Sequence, residues 1–255
     1  MFIDTNTYLG RWPFRSLPGA GADALLATFS HYGVSQAWAG SLDGLLHKDI
    51  AGVNARLADG CAVYANGILQ PFGTVNPMLP RWEEDLRRCA EEYGMKGIRL
   101  HPAYHGYALD EPRFRALLEA AAARRLLVQI AVTMEDERMM HPLARVEHVD
   151  VAPLAGIMEA VPNARVMLLN AFRAVRGKLL EPLVATGRVW FDIAWLEGIE
   201  GVNTIQPGVP FEKLVFGSYA PVFYFDSSLL KLKEAGLEDV ALAQIQGENA
   251  QQALF

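Results

Sequence analysis

The sequence predicts an α/β fold, a single (β/α)8 TIM barrel spanning residues 1–255. Three observations carry that expectation. Eight short strand-like runs alternate with helix-like runs along the chain, which is the pattern a closed parallel barrel demands. The runs are short and bulky, as expected of strands covered on both faces. The length of 255 residues suits one such barrel. An open doubly wound sheet is the competing architecture, but it usually carries fewer strands and a glycine-rich nucleotide turn. Neither G-x-G-x-x-G nor G-x-x-x-x-G-K-[ST] occurs here.

The first strand-like run is Phe2-Ile3-Asp4, and a polar loop containing Gly and Pro follows it to Pro18. Residues 22–32 read as a helix ended by Gly33, in the position of a left-handed cap. The run 34–39 is the second strand, 48–58 a helix and 67–75 the third strand. Pro80 then opens the helix RWEEDLRRCAEEYG, which has acids in its first turns and Glu/Arg pairs three and four residues apart. Residues 96–100 form a short strand and 111–125 an Ala-rich helix. Residues 126–132 are a strand, followed by a long loop and a helix at 151–160. The runs 165–169, 189–193 and 214–216 complete the eight, each followed by a helical stretch.

Composition narrows the function classes. With 29 acidic against 23 basic residues, a net charge of −6 and no Lys/Arg run, a nucleic-acid-binding surface is not expected. Cys61 and Cys89 are the only cysteines, too few for a disulfide framework or a zinc motif. The N-terminal MFIDTNTYLGRWPFR lacks the basic lead-in and apolar stretch of a signal peptide. The apolar runs near 116–132 are broken by Glu119, Arg124, Arg125 and Gln129, so no membrane span is expected. A soluble, cytoplasmic protein is the expectation.

In such a barrel the active site lies on the loops that follow the strands. After strand one come Asn6, Tyr8, Arg11, Trp12 and Arg15. On strand four Arg99 and His101 share a face, because side chains alternate, and Tyr104 and His105 follow. Strand five offers Gln129, then Thr133, Glu135, Asp136, Arg138 and His141. Strand six ends at Asn170, strand seven carries Asp192, and strand eight ends in Ser218 and Tyr219.

Five of these pieces, in order, resemble a family. FIDTNTYLG, MKGIRLHP, the run ending VMLLNAF, FGSYAP and the terminal GENAQQALF are together similar to the amidohydrolase-related branch of the amidohydrolase superfamily. That branch includes aminocarboxymuconate decarboxylase-like enzymes and dicarboxylate lactonases. The resemblance covers residues 3–255. It implies a (β/α)8 barrel, possible pairing into a homodimer, and hydrolysis or decarboxylation of a small carboxylated or cyclic compound. It also implies a zinc or manganese ion that activates water or polarises a carbonyl.

The family's ligands would be two His in a D-x-H-x-H signature, a His ending strand five, often a His ending strand six, and an Asp after strand eight. This sequence has Asn6 and Tyr8 in the signature, Ala131 and Asn170 at the two strand ends, and Tyr219 after Gly217-Ser218. Asn is a feeble ligand, Ala is none, and neutral Tyr rarely coordinates these ions. No metal cofactor is therefore expected, and the family's metal mechanism does not carry over. A metal site rebuilt from His101, His105, His141 and Asp192 has no support in their spacing.

Two readings of the altered positions stand. In one, Tyr8, Asn170 and Tyr219 fill the pocket as a satisfied polar core. In the other, a working pocket remains. His101 and Asp192 are then the candidate catalytic groups, His101 as an acid or base near neutral pH. Asn6, Tyr8, Arg15, Arg99, Gln129, Asn170 and Tyr219 are the candidate substrate-binding groups. Arg99 needs an anion if it points into the barrel, and either Asp192 or a substrate carboxylate or phosphate would serve. The charged loop MEDERMMHP, residues 134–142, is a solvated loop or a lid closing through Arg138 or Glu135. In RWPFR, Trp12 and Phe14 staple the loop while Arg11 or Arg15 faces the site. The expected function is a metal-free or catalytically degenerate relative of these enzymes, or a non-catalytic protein that binds a small anionic or carboxylated molecule.

Overall fold

The seven residues Ile3–Leu9 form the first strand, β1, although its centre, Asp4-Thr5-Asn6-Thr7, is polar and fully buried. The computed structural model describes residues 1–64 and 67–255. The sequence pattern ends this strand at Asp4 because apolar bulk ends there. The observed strand continues because each polar side chain finds a partner inside the barrel, as buried polar groups must. Thr5 Oγ1 donates to the Phe216 carbonyl and Thr7 Oγ1 to the Ala220 carbonyl.

The following strands are β2 (Gln36–Ser41), β3 (Leu69–Pro71), β4 (Gly73–Thr74), β5 (Gly97–Leu100), β6 (Leu127–Ala131), β7 (Val166–Leu169), β8 (Val189–Asp192) and β9 (Leu214–Val215). They pair in parallel as two sheets, β1-β2-β3 and β4 through β9 in order. The single strand predicted at 67–75 is observed as β3 and β4, interrupted at Phe72 just after a proline, which lacks the ladder donor. The two pieces act as one staff, since Phe72 N–H still donates to the Ala39 carbonyl. The last strand meets the first through Thr5 N–H to the Phe216 carbonyl, Tyr8 N–H to the Ala220 carbonyl and Tyr219 N–H to the Asn6 carbonyl. Eight staves thus form the (β/α)8 ring that the sequence predicts. Helices connect them, among them Ala22–Tyr32, Ile50–Val63, Pro112–Ala123, Leu154–Ala160 and Phe225–Ala235. Among the described residues no helix is long and apolar enough to cross a membrane.

Side-chain alternation sorts the interior into layers. Ile98, Leu100, Val128, Ile130, Val166, Leu168 and Phe191 point outward and pack with the helices in one large core. Ile3, Trp38, Phe72, Leu127, Met167, Leu169, Trp190 and Val215 point inward and fill the amino-terminal half of the barrel, closed by Ala250 and Ala253. Gly97 makes room for this layer: a Cβ there would press on the Phe72 ring and sit 2.6 Å from the Leu127 carbonyl oxygen. Gly97→Ala is expected to lower the unfolding free energy by about 1–3 kcal/mol through overpacking. Urea denaturation followed by circular dichroism checks this, and an unchanged midpoint would contradict it.

Candidate functional site

The strand pattern places Arg99 at the centre of the barrel, wholly buried. Gly40 on β2 leaves the space for it, since a Cβ there would lie 2.8 Å from the guanidinium. Its Nη1 donates to the Thr7 carbonyl, Nη2 to the Thr5 and Trp38 carbonyls, and Nε to Gln129 Oε1. Gln129 Nε2 donates in turn to the Thr5 carbonyl, and the guanidinium lies 4.5 Å from the centroid of the Tyr8 ring. The sequence expects an anion beside Arg99, with Asp192 as one candidate; its hydrogen-bond partners in the protein are instead main-chain carbonyls, which supply the negative ends of dipoles, and the Gln129 amide oxygen.

Above this layer lie the positions where the family would place its metal ligands. Asn6 Nδ2 donates to Asn170 Oδ1 at 2.9 Å and to Asp192 Oδ2 at 2.6 Å. Asn170 N–H donates to Asp192 Oδ1, and Asn170 Nδ2 to the Thr133 carbonyl. Tyr8 Oη lies 3.2 Å from His101 Nε2, and Tyr219 Oη donates to the Met134 carbonyl. Asp4 accepts from the Ser218 N–H and hydroxyl and from the Asn6 N–H. All of these side chains are 1% exposed or less. Asn170 and Tyr219 sit in the left-handed region, at φ 55° and 59°, a conformation uncommon for residues other than glycine and enriched in Asn.

Burial dominates the electrostatics of this layer. It raises the Asp192 carboxyl to about 6, against the pull of Asn6, the Asn170 N–H, Lys231 and Arg99. It raises Asp4 to about 6 likewise, against the Ser218 and Asn6 hydrogen bonds and Arg99. His101 is held well below its ordinary value by burial, then by His105 and Arg99, so its imidazole is neutral. Burial likewise raises the Tyr8 and Tyr219 hydroxyls.

The open space at the mouth lies beyond this layer, in a cleft of about 590 Å³ at the ends of β6, β7 and β8. Its floor is Ala131, Thr133 and Met134, with Tyr104 on one side. Glu135, Glu137, Glu147, Arg173, Arg176 and Glu197 supply its charge, with the His148 ring among them. Arg173 pairs with Asp136 at 3.4 Å and Glu197 at 3.6 Å, while Arg176 Nε donates to the Phe172 carbonyl. Glu135 is 6% exposed and pairs with Arg15 at 3.3 Å. Its carboxyl is raised by burial, partly offset by Arg15.

The candidate residues therefore divide. Asn6, Tyr8, His101, Asn170, Asp192 and Tyr219 are brought together as expected, but as a bonded layer beneath the cleft. None of them lines it, and His101 and Asp192, the candidate catalytic groups, lie in the layer beneath it. Gln129 is bound to Arg99 and to the Thr5 carbonyl. Arg15 reaches the mouth, yet it faces Glu135. Trp12 is buried with Phe14 and Tyr104 around it, the staple role expected of it. Arg138 is exposed and bonded to Asp136. The wall residues Glu147, His148, Arg173, Arg176 and Glu197 were not among the candidates, because irregular loops carry no periodic signal.

A zinc or manganese ion does not fit this donor set. Asp192 is already bonded to Asn6 and Asn170, Asp4 is taken up by Asn6 and Ser218, and Ala131 offers no donor at all. Among the described residues no group of three or more His, Cys, Asp or Glu side chains is arranged to hold a metal.

A family model described as Amidohydrolase matches residues 4–255, and the chain belongs to that family. The fold is similar to that of an uncharacterised TIM-barrel protein, Bb4693 from Bordetella bronchiseptica (TM-score 0.75, 13% identity, 99% of this chain and 98% of that one). It is similar to 2,6-dihydroxybenzoate decarboxylase from Rhizobium (TM-score 0.76, 11% identity, 99% and 98%). It is also similar to 5-carboxyvanillate decarboxylase from Novosphingobium aromaticivorans, solved with bound manganese (TM-score 0.76, 15% identity, 100% and 97%). A comparison with curated proteins finds no match.

Proposed function

We propose that this chain is a metal-independent member of the amidohydrolase family, working in the cytoplasm, that binds a small carboxylated compound in the cleft above Ala131. The observation that carries this reading is the cross-bonded layer of Asn6, Asn170, Asp192, Tyr8, His101 and Tyr219 at the ligand positions. Such a layer leaves no cluster of free donors for a divalent ion, while the cleft over it retains room and charge for a ligand. Arg176 is the anchor for the carboxylate, and the acidic wall suits hydroxyl or amino groups elsewhere on the same molecule.

The test is elemental analysis of the protein after incubation with manganese or zinc and desalting, paired with thermal shift measurements on small carboxylates. Substoichiometric metal is expected, together with ligand stabilisation that EDTA leaves unchanged. About one tightly held equivalent of metal, or chelator-sensitive turnover of 2,6-dihydroxybenzoate, would overturn the reading.

One observation favours a second reading, metal-free hydrolysis or decarboxylation. Glu135 lines the cleft, is almost fully buried and has a raised carboxyl, the profile of a general acid in a site. Turnover abolished in Glu135→Gln with folding intact would establish it over simple binding.

A further inference from the structure

A basic residue stands just ahead of each of five consecutive strands: Lys96 before β5, Arg125 before β6, Arg165 before β7, Arg188 before β8 and Lys213 before β9. This is the end of the barrel opposite the mouth. None of the five is ion-paired to a carboxylate among the described residues. Part of the pattern is local, because helix carboxyl ends attract cations. Arg188 donates to the Met158, Val161 and Ala164 carbonyls, and Lys213 to the Gly187 carbonyl.

That account covers the carbonyl contact of Arg165 but not the exposed Arg125 or the closeness of the two arginines. Arg165 Nη2 donates to the Arg125 carbonyl, which brings two like charges to adjacent strand entries. Burial and the charge of Arg125 both lower the Arg165 guanidinium. Arg125 is exposed and sits at φ 58°, at the end of helix Pro112–Ala123, where glycine is the unstrained choice. Both line a cavity of about 650 Å³ together with Arg188, Trp190 and Phe255. Trp190 is 5% exposed, and its Nε1 has no hydrogen-bond partner. A second cavity, of about 540 Å³, shares Arg125 and Phe255 and is walled by the stacked rings of Trp38 and Phe72.

We propose that this amino-terminal end of the barrel is a second ligand site, for a small aromatic oxyanion. Its phosphate or carboxylate lies between the Arg125 and Arg165 guanidinium groups, and its ring lies against the aromatic walls. An oxyanion relieves the repulsion of the two arginines, and guanidinium forks match its geometry. The site stands independently of the cleft at the mouth.

Phenyl phosphate, benzoate and inorganic phosphate are titrated at constant ionic strength against the full chain, with thermal shift and calorimetry as readouts. Saturable stabilisation by phenyl phosphate or benzoate is expected, and the tighter of the two names the preferred oxyanion. Arg125→Gly removes the left-handed strain, so it should raise the melting temperature of the free protein while weakening aromatic anion binding at least tenfold. Arg176→Gln, which removes the carboxylate anchor proposed at the mouth, should leave the phenyl phosphate response intact. No saturable response beyond that of sodium chloride would overturn the site. So would a response kept in Arg125→Gly and lost in Arg176→Gln. Inorganic phosphate binding as tightly as phenyl phosphate would overturn the aromatic part of the assignment.

Discussion

Arg99→Ala is expected to lower the unfolding free energy by about 4–5 kcal/mol, a large fraction of the stability of an ordinary protein. The side chain is fully buried, and its loss strips donors from the Thr5, Thr7 and Trp38 carbonyls and from Gln129 Oε1. Each buried acceptor left unpaired costs about 1–3 kcal/mol, and the void left by a large side chain adds to that. Thr5 is the mildest loss, since Gln129 Nε2 also donates to its carbonyl. Arg99→Lys keeps the charge but offers one nitrogen where a planar fork reaches four acceptors, so an intermediate loss is expected. Equilibrium urea unfolding of the three proteins measures the series. A loss under about 1 kcal/mol for Arg99→Ala, the worth of one ordinary hydrogen bond, would show that the arginine is not the tie between β1, β2 and β5.

Asp4→Asn is expected to change the pH dependence of stability strongly. The Asp4 carboxyl stands at about 6 in the folded chain against an ordinary 3.8. Below the ordinary value both states hold the proton and the folded state bears no charge penalty. Between 3.8 and about 6 the unfolded chain ionises while the folded chain holds its proton, so stability falls by about 3 kcal/mol and levels off once pH has passed 6. Asp192 acts in the same sense. His101, with a lowered value, acts in the opposite one: its contribution is complete above the ordinary histidine value and is lost as pH falls. The two opposed trends make the single variant the informative measurement. Asn at position 4 keeps one oxygen for the Asn6 and Ser218 N–H groups but forces the Ser218 hydroxyl to find another acceptor, at about 1 kcal/mol. The variant should thus be slightly less stable than the parent at pH 4 and about 2 kcal/mol more stable at pH 8. Parallel pH profiles for the two proteins would refute the raised carboxyl.

Apolar bulk made most of the barrel legible in the sequence. The runs at 96–100, 126–132, 165–169 and 189–193 were found because their outward residues face helices and their inward residues face the core. The same signal failed at β1, where Thr5, Asn6 and Thr7 are as buried as any leucine, and at Phe72, where Pro71 interrupts the pairing. The site was legible as a set of positions, since alternation and strand ends place Asn6, Tyr8, His101, Asn170, Asp192 and Tyr219 together. Their partners were not legible. Arg99 is satisfied by main-chain carbonyls and Tyr219 by the Met134 carbonyl, and a carbonyl has no letter in a sequence. The cleft wall at 135–148 and 173–197 comes from irregular loops, so its shape follows from tertiary packing alone.

The left-handed backbone at Asn170 and Tyr219 has a consequence for how this barrel can change. Backbone N–H groups help to hold both turns, the Asn170 N–H on the Asp192 carboxylate and the Tyr219 N–H on the Asn6 carbonyl. These two bonds do not depend on which side chain stands at position 170 or 219. Reactivity can be gained or lost at those two addresses by exchanging one side chain for another while the barrel end stays as it is.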